Sequence, residues 1–288
     1  MDYGAQALVR TQQFLQEYGI HCVGAGRDIH EARRSLQLEV NGVRLGFLAY
    51  TTEEPHVGSV IARESEAGSN GLPQIDVARK EVEALSSTVD FVVVLLHWGY
   101  EYYKYPTPMQ VHFARELVHA GATLVAAHHP HVEQGWETHG SALICHSLGN
   151  LIVPEMRATS GRVQFRKPVS KQFAILRADI GPKQILRSHL HGGRCDRWYN
   201  LIPYGGDAAD RFATELAQIS QPLSRSDYDG FYEAYRHRRS RQLAREEIYD
   251  AFRKLRTMDP ATFLSTAGMA DVKRNFRRLK NLLRGGFQ

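Results

Sequence analysis

"FVVVLLHWGYEYYKYPTPMQVHFARELVHAGATLVAAHHPHV", residues 91–132, decides the fold. It opens on FVVVLLH (91–97), a continuous β-branched and leucine run of the kind found in strands covered on both faces. A helix follows over 107–122. Thr107 can cap it, Pro108 suits its first position, and Gln110 completes a capping box three residues after the cap. Gly121 ends the helix, and ATLVAA (122–127) is the next buried strand. Strand, helix and strand joined by short loops make a right-handed crossover between parallel strands. Ligands and chemistry collect at the carboxyl edge of such strands. His97 stands at that end of the first strand, and His128, His129 and His131 follow the second, so one unit delivers histidines to one edge.

Working outward, AQALVRTQQFLQEYG (5–19) has helical spacing and stops at Gly19, and IHCVGAG (20–26) reads as a strand entering a glycine turn. SLQLEVNGVRLGFLAYT (35–51) predicts a hairpin about Asn41-Gly42. Residues 53–74, rich in Glu, Gly, Ser and Pro, predict a surface loop, and 71–90 a helix with Ile75, Ala78, Val82 and Leu85 on one face. Ala142 to Cys145 predicts a further strand, followed by a turn carrying Ser147, Gly149 and Asn150. Residues 171–192 alternate as two antiparallel strands joined at Gly181-Pro182. From about Asp207 the chain turns helical, basic and tyrosine-containing.

The chain has 288 residues, enough for one large domain or a domain with an appendage. Lys and Arg against Asp and Glu number 21 and 23 over 1–224, and 15 and 8 over 225–288, so a nearly neutral body carries a basic tail of net +7. Such a tail suits anionic lipid, an acidic polymer or a solvated helical surface. No recognition motif accompanies the charge, so nucleic acid is not the expected partner. Cys22, Cys145 and Cys195 form no CxxC pair and are odd in number, which predicts reduced thiols. The apolar runs are too short to cross a bilayer and the N-terminus carries no basic segment followed by an apolar one, so a cytoplasmic location is expected. There is no Walker A loop, no GxGxxG opening a helix and no GxSxG elbow, and a P-loop or Rossmann enzyme is not expected.

His129 and His131, flanking Pro130, can turn both imidazoles to one point, and His97 on the neighbouring strand end joins them. Zn, Mn, Fe or Ni suits an imidazole cluster. Glu101 either orients a ligand histidine or serves as acid or base on a substrate, or it is a solvated loop carboxylate. Trp98, Tyr100, Tyr102, Tyr103 and Tyr105 either stack on a substrate or pack the loop onto the core. Asn150 either hydrogen-bonds substrate or caps a turn.

The segments VGAGRDIHEARR, GVRLGFLAY, DFVVVLLHWGYEYYKYPTPMQ, LVHAGATLVAAHHPHVEQGWE and LICHSLGN resemble, in order and spacing, the successive motifs of CapA-type proteins. These are poly-γ-glutamate and capsule biosynthesis proteins related to calcineurin-like metallophosphatases. The resemblance runs from residue 2 to about 155. It implies an α/β sandwich of two sheets flanked by helices, here placed over residues 1–205, and the pattern of the residues themselves adds a basic helical region over 206–288. It implies a divalent metal (Mn, Zn or Fe) on His97, His129 and His131, with His97 and Glu101 catalytic and Trp98 and Asn150 at the substrate. His128 falls where many relatives carry serine and is left out of that set. Relatives place further metal-ligand motifs, Gly-Asp, Asn-x-Glu and Asn-Asn-His, before an "xDYG", where this chain begins with MDYG. The expectation is therefore three histidines holding one metal with an open position. A metal-dependent hydrolase acting on a phosphoester or amide bond in polymer synthesis is one implied function. A non-catalytic scaffold in a polymer-synthesis complex, binding an anionic polymer or glycan, is the other. Residues 270–284 place Val272, Phe276, Leu279 and Leu283 on one helical face, which suits either peripheral membrane contact or packing on the chain's own domain.

Overall fold

The computed structural model describes residues 4–52, 60–152, 156–157, 163–164, 168–257 and 273. It divides into two compact units, Met1–Ser226 and Asp227–Gln288. The first unit begins with α1 (Gly4–Glu17), β1 (Ala25–Gly26), α2 (Ile29–Arg33), β2 (Leu36–Val40), β3 (Val43–Thr51) and β4 (Gly68–Ser69). It continues through α3 (Ile75–Ser86), β5 (Phe91–His97), α4 (Pro108–His119), β6 (Leu124–His128), β7 (Trp136–His139) and β8 (Ala142–Cys145). The short strands β9 (Met156–Arg157) and β10 (Val163–Gln164) precede β11 (Gln172–Gly181), β12 (Gln184–Cys195), β13 (Leu201–Pro203) and α5 (Asp207–Ser220).

Six strands form the main sheet in the order β2-β3-β5-β6-β8-β7. The four central strands are parallel, and β2 and β7 close the edges antiparallel. Alternate residues of the central strands meet α3 and α4: Leu48, Tyr50, Val92, Val94, Leu96, Val125 and Ala127 share one core with Ala78, Val82, Leu85, Phe113, Ala114 and Leu117. Gly46 admits this close approach, because a Cβ there would lie 2.8 Å from Leu85 Cγ. The expected capping box on α4 is present, with Thr107 Oγ1 accepting from Gln110 N and Gln110 Oε1 from Thr107 N. The predicted hairpin turns at Asn41 and Gly42, both at positive φ (53° and 77°), the pairing that suits the twist of the flanking strands.

β11, β12 and β13 make a second, antiparallel sheet. Backbone bonds from Ala174 N to Leu148 O (3.0 Å) and from Lys183 N to Asp90 O (2.6 Å) join it to the first. α5 lays Phe212 and Leu216 against Ala174 and Leu190, and Gly192 leaves room for the Phe212 ring. Helix α5, which the sequence reading grouped with the tail, thus sits within the first unit. The parallel β5-β6 pair is what the strand-helix-strand motif predicted, and the two sheets with flanking helices are what the family resemblance implied.

A buried polar network ties these layers together. His146 Nε2 lies 3.2 Å from Glu137 Oε1, and Arg115 donates to Glu137 Oε2 (2.6 Å) and to the Leu223 carbonyl (2.8 Å). Burial pushes the Glu137 carboxyl up, but the bonds from His146 and Arg115 outweigh it and hold the group below the usual range.

Three local expectations change. The strand read over 20–26 shrinks to β1, and α2 and β7 form where no element was foreseen. Asp28 caps α2 by accepting from Glu31 N, an interaction without hydrophobic periodicity to announce it. Of the loop read over 53–74, residues 53–59 lie outside the described residues, and the remainder is largely irregular around β4. In the second unit α6 (Tyr228–Thr257) is the expected basic helix. The amphipathic stretch 270–284 lies, apart from residue 273, outside the described residues. Among the described residues no helix is long and apolar enough to cross a membrane.

Candidate metal centre

Parallel pairing brings Thr51, His97 and His128 side by side across β3, β5 and β6 at the carboxyl edge. The chain leaves that edge by two loops that hold one another. Trp98 N donates to the His128 carbonyl (3.1 Å), Tyr102 N to that of Pro130 (2.7 Å), and the Gln134 side chain to that of Tyr103 (2.8 Å). His129 and His131 both adopt positive φ, 104° and 58°, on either side of Pro130. Side chains other than glycine rarely take this conformation, and it concentrates where structure serves a site.

His97 Nε2 and His129 Nδ1 are 3.2 Å apart. Two metal–nitrogen bonds of about 2.05 Å spanning such a gap enclose an angle of about 100°, near the tetrahedral value. The same gap fits a hydrogen bond between two neutral rings. The His131 ring lies 5.8 Å from that of His129, centroid to centroid. Its Nδ1 is 2.8 Å from Asn150 Oδ1, and Asn150 Nδ2 donates to the Ser170 carbonyl (3.0 Å). With the amide nitrogen so committed, Oδ1 accepts, the proton sits on His131 Nδ1, and Nε2 keeps its lone pair. Glu101 Oε1 stands 3.9 Å from that Nε2 with its side chain half exposed.

His97 reaches solvent, yet the surrounding protein disfavours its charged form, and the neighbouring His129, His128 and His131 add to this, so it titrates at about 4. Burial likewise lowers His128. His97 is therefore neutral at physiological pH, the state a metal ligand requires. The structure thus brings His97 and His129 into contact and sets His131, Asn150 and Glu101 beside them. Among the described residues, no three His, Cys, Asp or Glu side chains converge to enclose an ion. Trp98, read as a substrate contact, is instead buried in the core edge-on to Phe113 (5.6 Å). Tyr100 is the exposed aromatic of this loop, tilted against Tyr103 at 5.5 Å.

Glu133, two residues past His131, escaped the sequence reading. It is buried and accepts from Gln172 Nε2 (3.2 Å), and burial raises its pKa. Only its place in the motif HPHVE hinted at this, since an isolated Glu after a histidine loop reads as surface.

Comparison with known proteins places these features in a family. A model described as "Bacterial capsule synthesis protein PGA_cap" matches residues 1–155. The chain is 34% identical over 155 residues to "Capsule biosynthesis protein CapA" of Bacillus anthracis, covering 52% of this chain and 37% of that protein. It is 31% identical over 199 residues to "PGA biosynthesis protein CapA" of Bacillus subtilis, covering 66% and 48%. The chain thus spans less than half the length of these two curated relatives. Solved structures similar to it include the Thermus thermophilus sulfate thiohydrolase SoxB (12% identity, TM-score 0.38, 74% of this chain and 34% of that one). Another is the Haemophilus influenzae NAD nucleotidase NadN (12%, TM-score 0.32, 80% and 49%). Both lie too far away to say what this chain does. The match over residues 1–155, which takes in every histidine of the carboxyl edge, carries the assignment: the chain belongs to the bacterial capsule synthesis protein family PGA_cap.

Proposed function

We propose that this chain acts in the synthesis of a capsule or poly-γ-glutamate polymer, and that the carboxyl edge of its main sheet is a metal-dependent hydrolytic centre for a phosphoester or amide bond. The observation that carries this is the His97–His129 contact, with His131 turned beside it by Asn150. The printed names of the curated relatives support the polymer setting.

His97 Nε2, His129 Nδ1 and His131 Nε2 are the nitrogens offered to a divalent ion, Mn, Zn or Fe. When bound, such an ion supplies Lewis acidity toward a phosphoryl or acyl oxygen and acidifies a water. Asn150 holds His131 in the tautomer that leaves Nε2 unprotonated. Glu101 Oε1, next to His131 and open to solvent, takes a proton from the attacking water and returns one to the leaving group. The exposed Tyr100 ring, tilted against Tyr103, offers an aromatic face against which a sugar or polymer backbone can rest.

The test is elemental analysis of the purified chain, with hydrolysis of p-nitrophenyl phosphate and γ-glutamyl-p-nitroanilide. Near-stoichiometric metal, turnover, and loss of both in His97→Ala and His129→Ala support the centre. A chain that stays metal-free and inert after incubation with Mn, Zn and Fe sinks it.

The absence of three convergent donors among the described residues favours a second reading, a non-catalytic scaffold within a polymer-synthesis complex. Binding of poly-γ-glutamate or a glycan without turnover separates the two. With either goes a location at the cytoplasmic face of the membrane, supported by the net +7 of residues 225–288. Co-sedimentation of the full chain with anionic but not neutral liposomes, abolished by salt, checks it.

A further inference from the structure

The opposite end of the main sheet carries a second pair of histidines. His119 is the last residue of α4 and His139 the last of β7, so both fall at the amino edge of the parallel strands, away from His97 and His129. Their Nε2 atoms are 2.9 Å apart, with the rings edge to face and centroids 4.9 Å apart. Behind His119, Glu116 Oε1 lies 3.1 Å from Nδ1, and Glu116 Oε2 accepts from Arg79 at 3.1 Å. An ionised carboxylate only accepts, so His119 carries its proton on Nδ1 and turns the Nε2 lone pair toward His139. Carboxylate, histidine and an open nitrogen in a row is the arrangement that orients metal-binding imidazoles.

We propose that His119 and His139 form an anchor for a divalent transition ion, Cu(II) or Ni(II) ahead of Zn(II), with Glu116 as the positioning carboxylate. Bonds of about 2.05 Å from one ion to two nitrogens 2.9 Å apart subtend about 90°. That is the angle of tetragonal Cu(II) and Ni(II), whereas a tetrahedral Zn(II) needs the rings to part slightly.

The surroundings sharpen the choice of ion. The pair borders a cleft of about 460 Å³ that Asp90, Thr123, Ser141 and Lys183 also line. Asp90 is already engaged by Arg44 through contacts of 2.7 and 3.0 Å, and Lys183 brings a positive charge. Net negative charge is therefore not what attracts the ion. Affinity has to come from the imidazole lone pairs, which selects ions that bond strongly to nitrogen over Mg and Ca. Among the described residues no third His, Cys, Asp or Glu joins the pair, so the remaining positions open onto the cleft for water or an added carboxylate.

The experiment uses the untagged full chain carrying His129→Ala and His189→Ala. These changes disable the carboxyl-edge pair and the His189–His191 pair on β12, whose rings lie 4.3 Å apart. Cu(II) is titrated against a chelator of known affinity and read by electron paramagnetic resonance. The expected result is one bound Cu(II) with superhyperfine splitting from two nitrogens. His139→Gln should weaken it about 100-fold or more through loss of one of two nitrogens. Glu116→Gln should weaken it about 10–100-fold while leaving the two-nitrogen signature intact. Circular dichroism checks that each variant is folded, and His119→Gln is the alternative if His139→Gln is not. Unchanged affinity in the folded His139→Gln chain, or a signal from oxygen ligands alone, overturns the proposal and leaves the contact as a hydrogen bond between two neutral rings.

Discussion

Asn150 holds the His131 ring through one hydrogen bond from its Oδ1, while its amide nitrogen donates to the Ser170 carbonyl and, at 3.4 Å, to that of His131. Its removal frees the ring to rotate and to change tautomer. Asn150→Ala should therefore lower metal affinity at the carboxyl edge about 10–100-fold, measured by competition with a chelator, and leave the melting temperature nearly unchanged. Glu137 makes the opposite kind of prediction, a structural one. Its folded pKa lies below the ordinary 4.5, so the stabilisation it gives is complete above that value and lost as pH falls through the lowered one. Glu137→Gln leaves Arg115 and His146 without the negative charge and with one acceptor oxygen in place of two, and should cost about 2–3 kcal/mol near neutral pH, read from urea unfolding. The same variant should flatten the acid limb of the stability profile below pH 4.5. At this scale the histidines were legible because a cluster of costly side chains at a strand end asks for a reason. Glu137, Arg115 and His146 were not, because a network between residues distant in sequence leaves no trace in spacing.

Elements show a similar division. β5, α4, β6, β8 and the hairpins β2-β3 and β11-β12 follow from local signals, namely continuous apolar runs, a capping box, Asn-Gly and alternation. Thr107→Ala should destabilise the chain by about 1 kcal/mol, seen as a lower urea midpoint at constant slope. The strand β7 was missed because WETH reads as polar, and it forms only because the edge of β8 accepts a partner. The pairing of β13 with β12 was equally hidden. It rests on Gly193, where a Cβ would meet the Phe173 ring at 2.2 Å and the Ile202 carbonyl at 2.8 Å. Gly193→Ala should cost about 1–3 kcal/mol by forcing these apart, and a melting curve indistinguishable from the parent would refute that account.

For the whole molecule, the change to helical character divided the chain near residue 205, whereas the compact unit runs to Ser226, close to where the charge turns basic. Helical pattern marks where helices begin, not which helix is covered, and α5 is bound to the second sheet by Phe212 and Leu216. A chain ending at 226 should accordingly unfold cooperatively, while one ending at 205 uncovers Ala174, Leu190 and Trp136 and should aggregate or bind a hydrophobic dye. The sheet register has a consequence in time as well as in space. Thr51, His97 and His128 are aligned by backbone pairing alone, so His97 is held in place before any ligand arrives. A site set out in advance takes up its ligand in one bimolecular step, without waiting for the chain to rearrange. Stopped-flow mixing with a divalent ion should then give single-exponential traces whose rate rises linearly with ion concentration. A rate that levels off would place a loop movement ahead of capture.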